Sequence, residues 1–339
     1  MPGEMTMSAG RAEYRYYRAP GILERAARAL LNNFVVEAVL VLLITLFYIG
    51  ASGVDHVLGT RLRRTFVGMM HAVSRDRLNF IRKARMRHVF KKEYGMKKLK
   101  IKLAGGSYWL SIPCIVRGID KKTHTEVKYL AKIMNERSAV KHRYMTLMRK
   151  MGVIAEGVDL RFDEYHCGRE MGEYEKRCLE RLRDASVNAP KVYGLHNLGA
   201  DDYMLVMQFI EGTPLSKVTI NDEIMDRLFI ILRKMRENGI FHGDVKMDNF
   251  MLSGSAVYVF DCLKIDRSGA EEAAAFDLAC LLCALADRAP AEAVLARARQ
   301  YYSASDLERA AGMIDMALYK SDLELSEDRI KKLKQNITA

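Results

Sequence analysis

The sequence predicts an α+β fold with two lobes, preceded by an N-terminal hydrophobic helix and a basic segment. Short runs of alternating or continuous apolar residues predict strands between residues 99 and 134 and again at 203–210. Beyond Asp277 the chain is rich in Ala and Leu at helical spacing, which predicts a helical second lobe. At 339 residues, half of them apolar, the chain can bury such a core with room for an extension in front.

The N-terminal extension, residues 1–60, contains a run of twenty largely apolar residues at 34–53. A helix of that length crosses a hydrocarbon core of about 30 Å, because the rise is about 1.5 Å per residue. The run therefore predicts a transmembrane or deeply inserted helix, with Glu37 near one end at the membrane interface. A buried apolar helix and a signal segment are the competing interpretations.

The basic segment that follows, residues 61–98, is predicted to lie beside the membrane. Residues 61–102 hold fifteen Lys or Arg and only two acidic residues, so the whole net charge of +12 is concentrated there. Such a patch can attract anionic lipid, bind nucleic acid or a ribonucleoprotein, or form a solvated helix face. The neighbouring apolar run favours lipid, and it predicts a membrane-associated protein whose remaining domain is cytoplasmic.

The predicted first lobe, residues 99–212, carries a lysine within an apolar strand. Lys132 is the candidate, with Lys128 on the same strand as the alternative. Upstream, Gly105, Gly106 and Ser107 separate two strand-like segments. Adjacent glycines are most often a hairpin turn. In this position, however, their backbone and the Ser107 side chain could also meet a phosphate.

The predicted second lobe, residues 213–339, carries the most informative motif of the chain. His242 and Asp244 are followed by Lys246 and Asn249, and Asp261 closes an apolar run twelve residues further on. One carboxylate can accept a hydroxyl proton, an amide oxygen and a second carboxylate can hold a metal, and a lysine can neutralise a phosphoryl group. The spacing therefore predicts a centre for phosphoryl transfer.

These motifs resemble the protein-kinase-like superfamily, and the resemblance covers about residues 99–290. Gly243, in place of the usual Arg, is typical of the atypical branches of that superfamily. Those branches include RIO kinases, the small kinase of the KEOPS tRNA-modification complex, aminoglycoside and choline phosphotransferases, and lipopolysaccharide kinases.

The resemblance implies ATP and Mg²⁺ as cofactors and gives each motif residue a role. Asp244 would be the catalytic base, and Lys246 would neutralise the transferred phosphoryl group. Asn249 and Asp261 would hold the metal, and Lys132 would bind the α- and β-phosphates.

The resemblance also implies an acidic partner for Lys132 from a helix. The helix predicted near residues 172–182 contains the candidates. Counting back from Pro190, which resembles the turn after this helix in small atypical kinases, favours Glu175. Glu173 and Glu170 remain alternatives.

The apolar run at 203–210 leads into a Glu-Gly turn and resembles the hinge between kinase lobes. Backbone groups from Gln208 to Ile210 would then meet adenine. An apolar strand before a turn is a generic pattern, so this assignment depends on the resemblance.

The sequence departs from ordinary protein kinases after Asp261. Cys262 stands where a phenylalanine is usual, and fifteen residues separate Asp261 from Asp277, which leaves no room for a long activation segment. Asp277 resembles the helix aspartate that braces the catalytic loop. The missing segment removes the usual platform for peptide docking.

The predicted function is Mg²⁺-dependent transfer of the ATP γ-phosphate to a hydroxyl. Lys246 favours a Ser or Thr of a protein substrate, because ordinary Ser/Thr kinases carry Lys at this position. The alternatives are a kinase for a sugar, a lipid or a lipopolysaccharide-type acceptor, and a pseudokinase scaffold that binds nucleotide without catalysis.

Overall fold

The computed structural model describes residues 78–104, 110–143, 146, 160, 162–199, 201–262, 269–318 and 325–338. The predicted membrane helix at 34–53 lies outside the described residues. So do Gly105, Gly106 and Ser107 of the predicted phosphate-binding turn.

The first lobe is built on a five-stranded antiparallel sheet with strand order β1-β2-β3-β5-β4. Its strands are β1 (Met96–Leu103), β2 (Ile112–Asp120), β3 (Glu126–Met134), β4 (Val192–Gly199) and β5 (Asp202–Gln208). Two helices flank it, α1 (Phe80–Lys92) and α2 (Gly168–Asp184). A helical stretch at 136–143 follows β3.

Alternation along the strands gives the sheet two buried faces. Met204 and Val206 of β5 pack with α1, whereas Leu205 and Met207 pack with the larger core that contains α2. Lys132 pairs in register with Leu205, so the lysine lies on the face of the sheet that α2 covers.

Helix α1 lies within the segment predicted to be a basic stretch beside a membrane, and it packs on the sheet. Met86 and Phe90 are four residues apart, so they share one face of the helix, and both are fully buried. Asn79 caps its first turn by accepting from Arg82 N at 2.9 Å. The basic residues Lys91 and Lys92 lie in its last turn, where they complement the helix dipole.

The second lobe is helical and is joined to the first by residues 209–212. Its strands and α-helices are β6 (Thr213–Pro214), α3 (Asp222–Glu237), β7 (Phe250–Ser253), β8 (Ala256–Val259), α4 (Ala270–Ala286), α5 (Ala291–Ala298), α6 (Ala304–Gly312), α7 (Ile314–Leu318) and α8 (Glu327–Thr338). Helix α4 forms its centre, with every side chain from Ala275 to Ala286 buried. A small sheet of β6, β7 and β8 lies at the junction of the lobes.

Candidate active site

Lys132 and Glu175 form a buried ion pair between the sheet and α2. Lys132 Nζ lies 2.6 Å from Glu175 Oε1 and also forms a salt bridge with Asp261. The other two acidic candidates bond elsewhere. Glu173 accepts from Arg169, and Glu170 accepts from the backbone N of His166.

Lys128, the alternative to Lys132, lies at the hinge instead of the cleft. Its ammonium forms a salt bridge with Glu211 and lies 4.6 Å from the centre of the Phe209 ring. Lys128 and Lys132 are four residues apart on one strand and share a face, so the sequence pattern did not separate them. Their partners do.

The charges of Lys132 and Asp261 stabilise each other. Burial opposes the charge on Lys132, but attraction to Asp261 and Glu175 outweighs burial and raises the pKa of the lysine. Burial likewise opposes the charge on Asp261, but attraction to Lys132 outweighs it and lowers the pKa of that carboxyl. Both groups are therefore charged at neutral pH.

The backbone places Asp261 beside the catalytic loop. Phe260 N donates to Asn249 O at 3.0 Å, which ties the end of β8 to the loop residue predicted to hold a metal. Asp261 itself has a φ of +58°, a left-handed conformation that is uncommon outside glycine. Its side chain remains 50% exposed and faces the cleft between the lobes.

The loop that contains His242 and Asp244 is held by Asp277 on α4. The Asp277 carboxylate accepts from His242 N at 2.6 Å and from Gly243 N at 2.8 Å, and its side chain is buried. Gly243 has a φ of +71°, which a residue with a side chain rarely adopts. These two bonds hold the turn that presents Asp244.

Asp244, Lys246 and Asn249 meet within this loop. Asn249 Nδ2 donates to the Asp244 backbone O at 2.8 Å and to Asp244 Oδ2 at 3.1 Å. Lys246 Nζ lies 3.3 Å from the same carboxylate oxygen. Because the amide nitrogen of Asn249 faces Asp244, its amide oxygen is turned the other way.

The oxygen donors of Asn249 and Asp261 suit Mg²⁺. This ion binds proteins through one or two side-chain oxygens and completes an octahedron with phosphate oxygens and water. Across the part of the chain that the structure describes, no group of three or more His, Cys, Asp or Glu could hold a metal ion. An amide and a carboxylate near the positive charge of Lys132 therefore have donors of the kind that Mg²⁺ takes together with phosphate oxygens.

The predicted adenine-binding residues lie at the end of β5. Gln208 N donates to Lys191 O at 2.8 Å, and Gln208 Oε1 accepts from Lys191 N. The backbone N–H of Gln208 is thus used within the first lobe. Ile210 is buried in the link between the lobes, and its contact with adenine stays a prediction.

The fold and the candidate site are of a protein-kinase-like kind: a five-stranded sheet with a Lys–Glu pair, a loop held by Asp277, and a salt bridge from the lysine to Asp261. Residues 156–286 match the RIO domain family. This segment of the chain is therefore similar to the RIO domain, and the resemblance to the atypical protein-kinase-like superfamily found in the sequence is confirmed. The match contains Glu175, Asp244 and Asp261 and begins after Lys132.

Curated relatives are similar over a short segment. A probable bifunctional tRNA threonylcarbamoyladenosine biosynthesis protein of Methanosarcina acetivorans is 32% identical over 93 residues, which is 27% of this chain and 16% of the relative. The KEOPS complex subunit Bud32 of Pyrococcus abyssi is 30% identical over 93 residues, 26% of this chain and 41% of the relative. The match thus spans less than half of each relative.

Among solved structures, a putative fructosamine-3-kinase from Haemophilus somnus aligns with 75% of this chain and 97% of its own. The TM-score is 0.36 and the identity 15%. Similarity at this level carries no argument about fold or function.

The predicted membrane association, with anionic lipid as a partner, is corrected. The finding against it is that the similar proteins are named for tRNA modification and for the KEOPS complex. Among the residues that the structure describes, no helix is long and apolar enough to cross a membrane. The apolar run at 34–53 and the basic residues after it prompted the prediction. Of those basic residues, Arg82 and Arg85 bond within the first lobe, to Asp202 and to the Gly199 backbone O.

Proposed function

We propose that this protein binds ATP with Mg²⁺ and transfers the γ-phosphoryl group to a Ser or Thr hydroxyl of a protein. One observation carries the proposal. The Lys132–Glu175 pair and the loop that contains Asp244 and Asn249 converge on Asp261 at the junction of the lobes. Such convergence is what phosphoryl transfer requires, because its catalysis is mostly positioning and charge stabilisation.

Each residue has a task that follows from its surroundings. Asp244 would orient the acceptor hydroxyl and take its proton, and Lys246, 3.3 Å away, would offset charge on the transferred group. Lys132, kept charged by its two acidic neighbours, would bind the α- and β-phosphates. Asn249 and Asp261 would hold Mg²⁺, which supplies charge neutralisation when it is bound.

The curated relatives favour a second candidate function, which is ATP hydrolysis in service of tRNA modification. Two of them carry names of tRNA threonylcarbamoyladenosine biosynthesis and of the KEOPS complex. The same cleft would serve, with water in place of the acceptor hydroxyl. The short link from Asp261 to Asp277 suits this candidate too, because it lacks the length of a peptide-docking segment.

The first prediction tests the site and separates the two candidates. The full chain is incubated with γ-labelled ATP and Mg²⁺, with the protein itself, a generic basic protein or tRNA present, and labelled protein and released phosphate are both measured. Asp244→Ala should lower transfer at least about a hundredfold, because general bases contribute about 10²–10⁴-fold. Nucleotide affinity should be kept.

Asp248→Ala is the matched control, since Asp248 lies in the same loop, is exposed and bonds to Ser216. Label on protein that disappears in Asp244→Ala supports the protein kinase. Phosphate release that tRNA stimulates and that Asp244→Ala abolishes supports the second candidate. Transfer that Asp244→Ala leaves unchanged would remove this residue as the base.

A further inference from the structure

Helix α1 is joined to the sheet by a buried two-bond ion pair. Arg82 Nε donates to Asp202 Oδ2 at 2.7 Å, and Arg82 Nη2 donates to Asp202 Oδ1 at 2.8 Å. The Asp202 side chain is 5% exposed and that of Arg82 is 14% exposed. A planar guanidinium bound through two nitrogens fixes orientation as well as distance, so α1 has a defined position on the first lobe.

Asp202 also bonds to the residue that follows the strand carrying Lys132. Asn135 Nδ2 donates to Asp202 Oδ1 at 3.3 Å. Asn135 follows β3, three residues after Lys132, and its Oδ1 accepts from Ser138 N at 3.0 Å at the start of the next helical stretch. Asn135 is itself buried.

Asn135 also supports the first residue of α2. A Cβ at Gly168 would lie 2.6 Å from Asn135 Cα, which means that the two backbones touch. Glu175 lies about two turns further along α2. The start of α2, and through it the position of Glu175, therefore depends on where Asn135 lies.

We infer that the network of Arg82, Asp202 and Asn135 positions Glu175 against Lys132, so that α1 sets the affinity of the cleft for nucleotide. This inference rests on the proposed function. Arg82 is a positioning residue, since it would act on the cleft through Asp202 and Asn135. A partner that moves α1 would change nucleotide binding without entering the cleft.

The test, and the second prediction, measures the affinity of the full chain for Mg²⁺·ADP by calorimetry. Arg82→Ala should weaken binding about tenfold, because residues that couple elements typically change affinity by this order. Arg82→Lys keeps the charge and one bond, so it should recover part of the loss. Arg85→Ala is the matched control. Arg85 lies on the same helix and bonds to Gly199 O at 3.0 Å, so affinity should stay within about twofold.

A double-mutant cycle distinguishes positioning from general loosening of the fold. In a Glu175→Gln background, Arg82→Ala should have no further effect on affinity, since the side chain that it positions is already lost. Additive effects of the two changes would overturn the inference, as would unchanged affinity in Arg82→Ala. Failure of the wild-type protein to bind any nucleotide would instead overturn the proposed function, and the inference with it.

Discussion

At the scale of single residues, Asp261 combines an unusual backbone with a defined charge. Its left-handed conformation turns the carboxylate into the cleft, where Lys132 keeps it ionised. A carboxyl whose pKa is lowered in the folded protein keeps its charged contacts above its ordinary value of 3.8 and loses them as the pH falls through the folded-state pKa. Both side chains should thus stay charged, and the Lys132–Asp261 salt bridge should stay formed, throughout the neutral pH range.

The third prediction concerns the metal, and Asp261→Asn tests it. Asn tolerates left-handed φ about as well as Asp, so the backbone is kept while the negative charge is removed. We expect nucleotide affinity in the presence of Mg²⁺ to fall to the level measured in EDTA. Calorimetric titrations with ATP in Mg²⁺ and in EDTA give both values, with Asp248→Asn as control. A mutant that keeps the full Mg²⁺ dependence would place the metal elsewhere.

At the scale of elements, the sequence indicates the motif residues of the candidate site more clearly than the helices that hold them in place. The roles of Asp244, Asn249 and Asp261 stay predictions from their spacing in the sequence, and the structure shows Asn249 bonded to Asp244 and to the backbone next to Asp261. The sequence left Glu175 as one of three candidates for the partner of Lys132, because choosing among them requires knowing how α2 packs on the sheet. Cys262 stands at the position where ordinary protein kinases carry a phenylalanine, and its side chain is buried.

Helix α1 was harder to predict because its buried face is narrow. Only Met86 and Phe90 are buried in it, while basic residues surround them in the sequence. The pairing of Arg82 with Asp202 joins residues 120 positions apart. No local pattern indicates such a pair, so the segment looked like a surface for lipid or nucleic acid.

The fourth prediction tests the contact between α2 and Asn135. Gly168→Ala should destabilise the protein by about 1–3 kcal/mol, because the new methyl group meets backbone that cannot move aside. Gly172→Ala, about one turn later in the same helix, is the matched control. There the Cβ meets the Leu195 Cδ1 atom of a flexible side chain, and Ala favours the helix by about 1 kcal/mol over Gly.

Urea unfolding of the two variants gives the comparison. A Gly168→Ala protein as stable as Gly172→Ala would show that α2 can shift away from Asn135 at little cost. That result would also weaken the positioning role of Asn135.

At the scale of the whole molecule, the buried residues form two clusters that lie on opposite faces of the first-lobe sheet, and the larger cluster extends into the second lobe. One cluster of buried residues joins α1 to one face of the sheet, and the other runs from α2 through the helices of the second lobe. Cysteines are distributed over both. Five of the six are buried, and Cys167 before α2 is the partly exposed one.

The fifth prediction uses these thiols as reporters of both cores. The thiolate is the reactive form, and burial raises the pKa of Cys114. A hydrogen bond with Cys178, together with burial, raises the pKa of Cys262. At pH 8, a disulfide reagent such as DTNB should therefore modify about one thiol of the native protein quickly and all six after denaturation.

Cys167→Ser should abolish the fast native reaction and leave five thiols in denaturant. Several fast thiols in the native protein would mean that one of the cores opens readily, because protected cysteines react only through such openings.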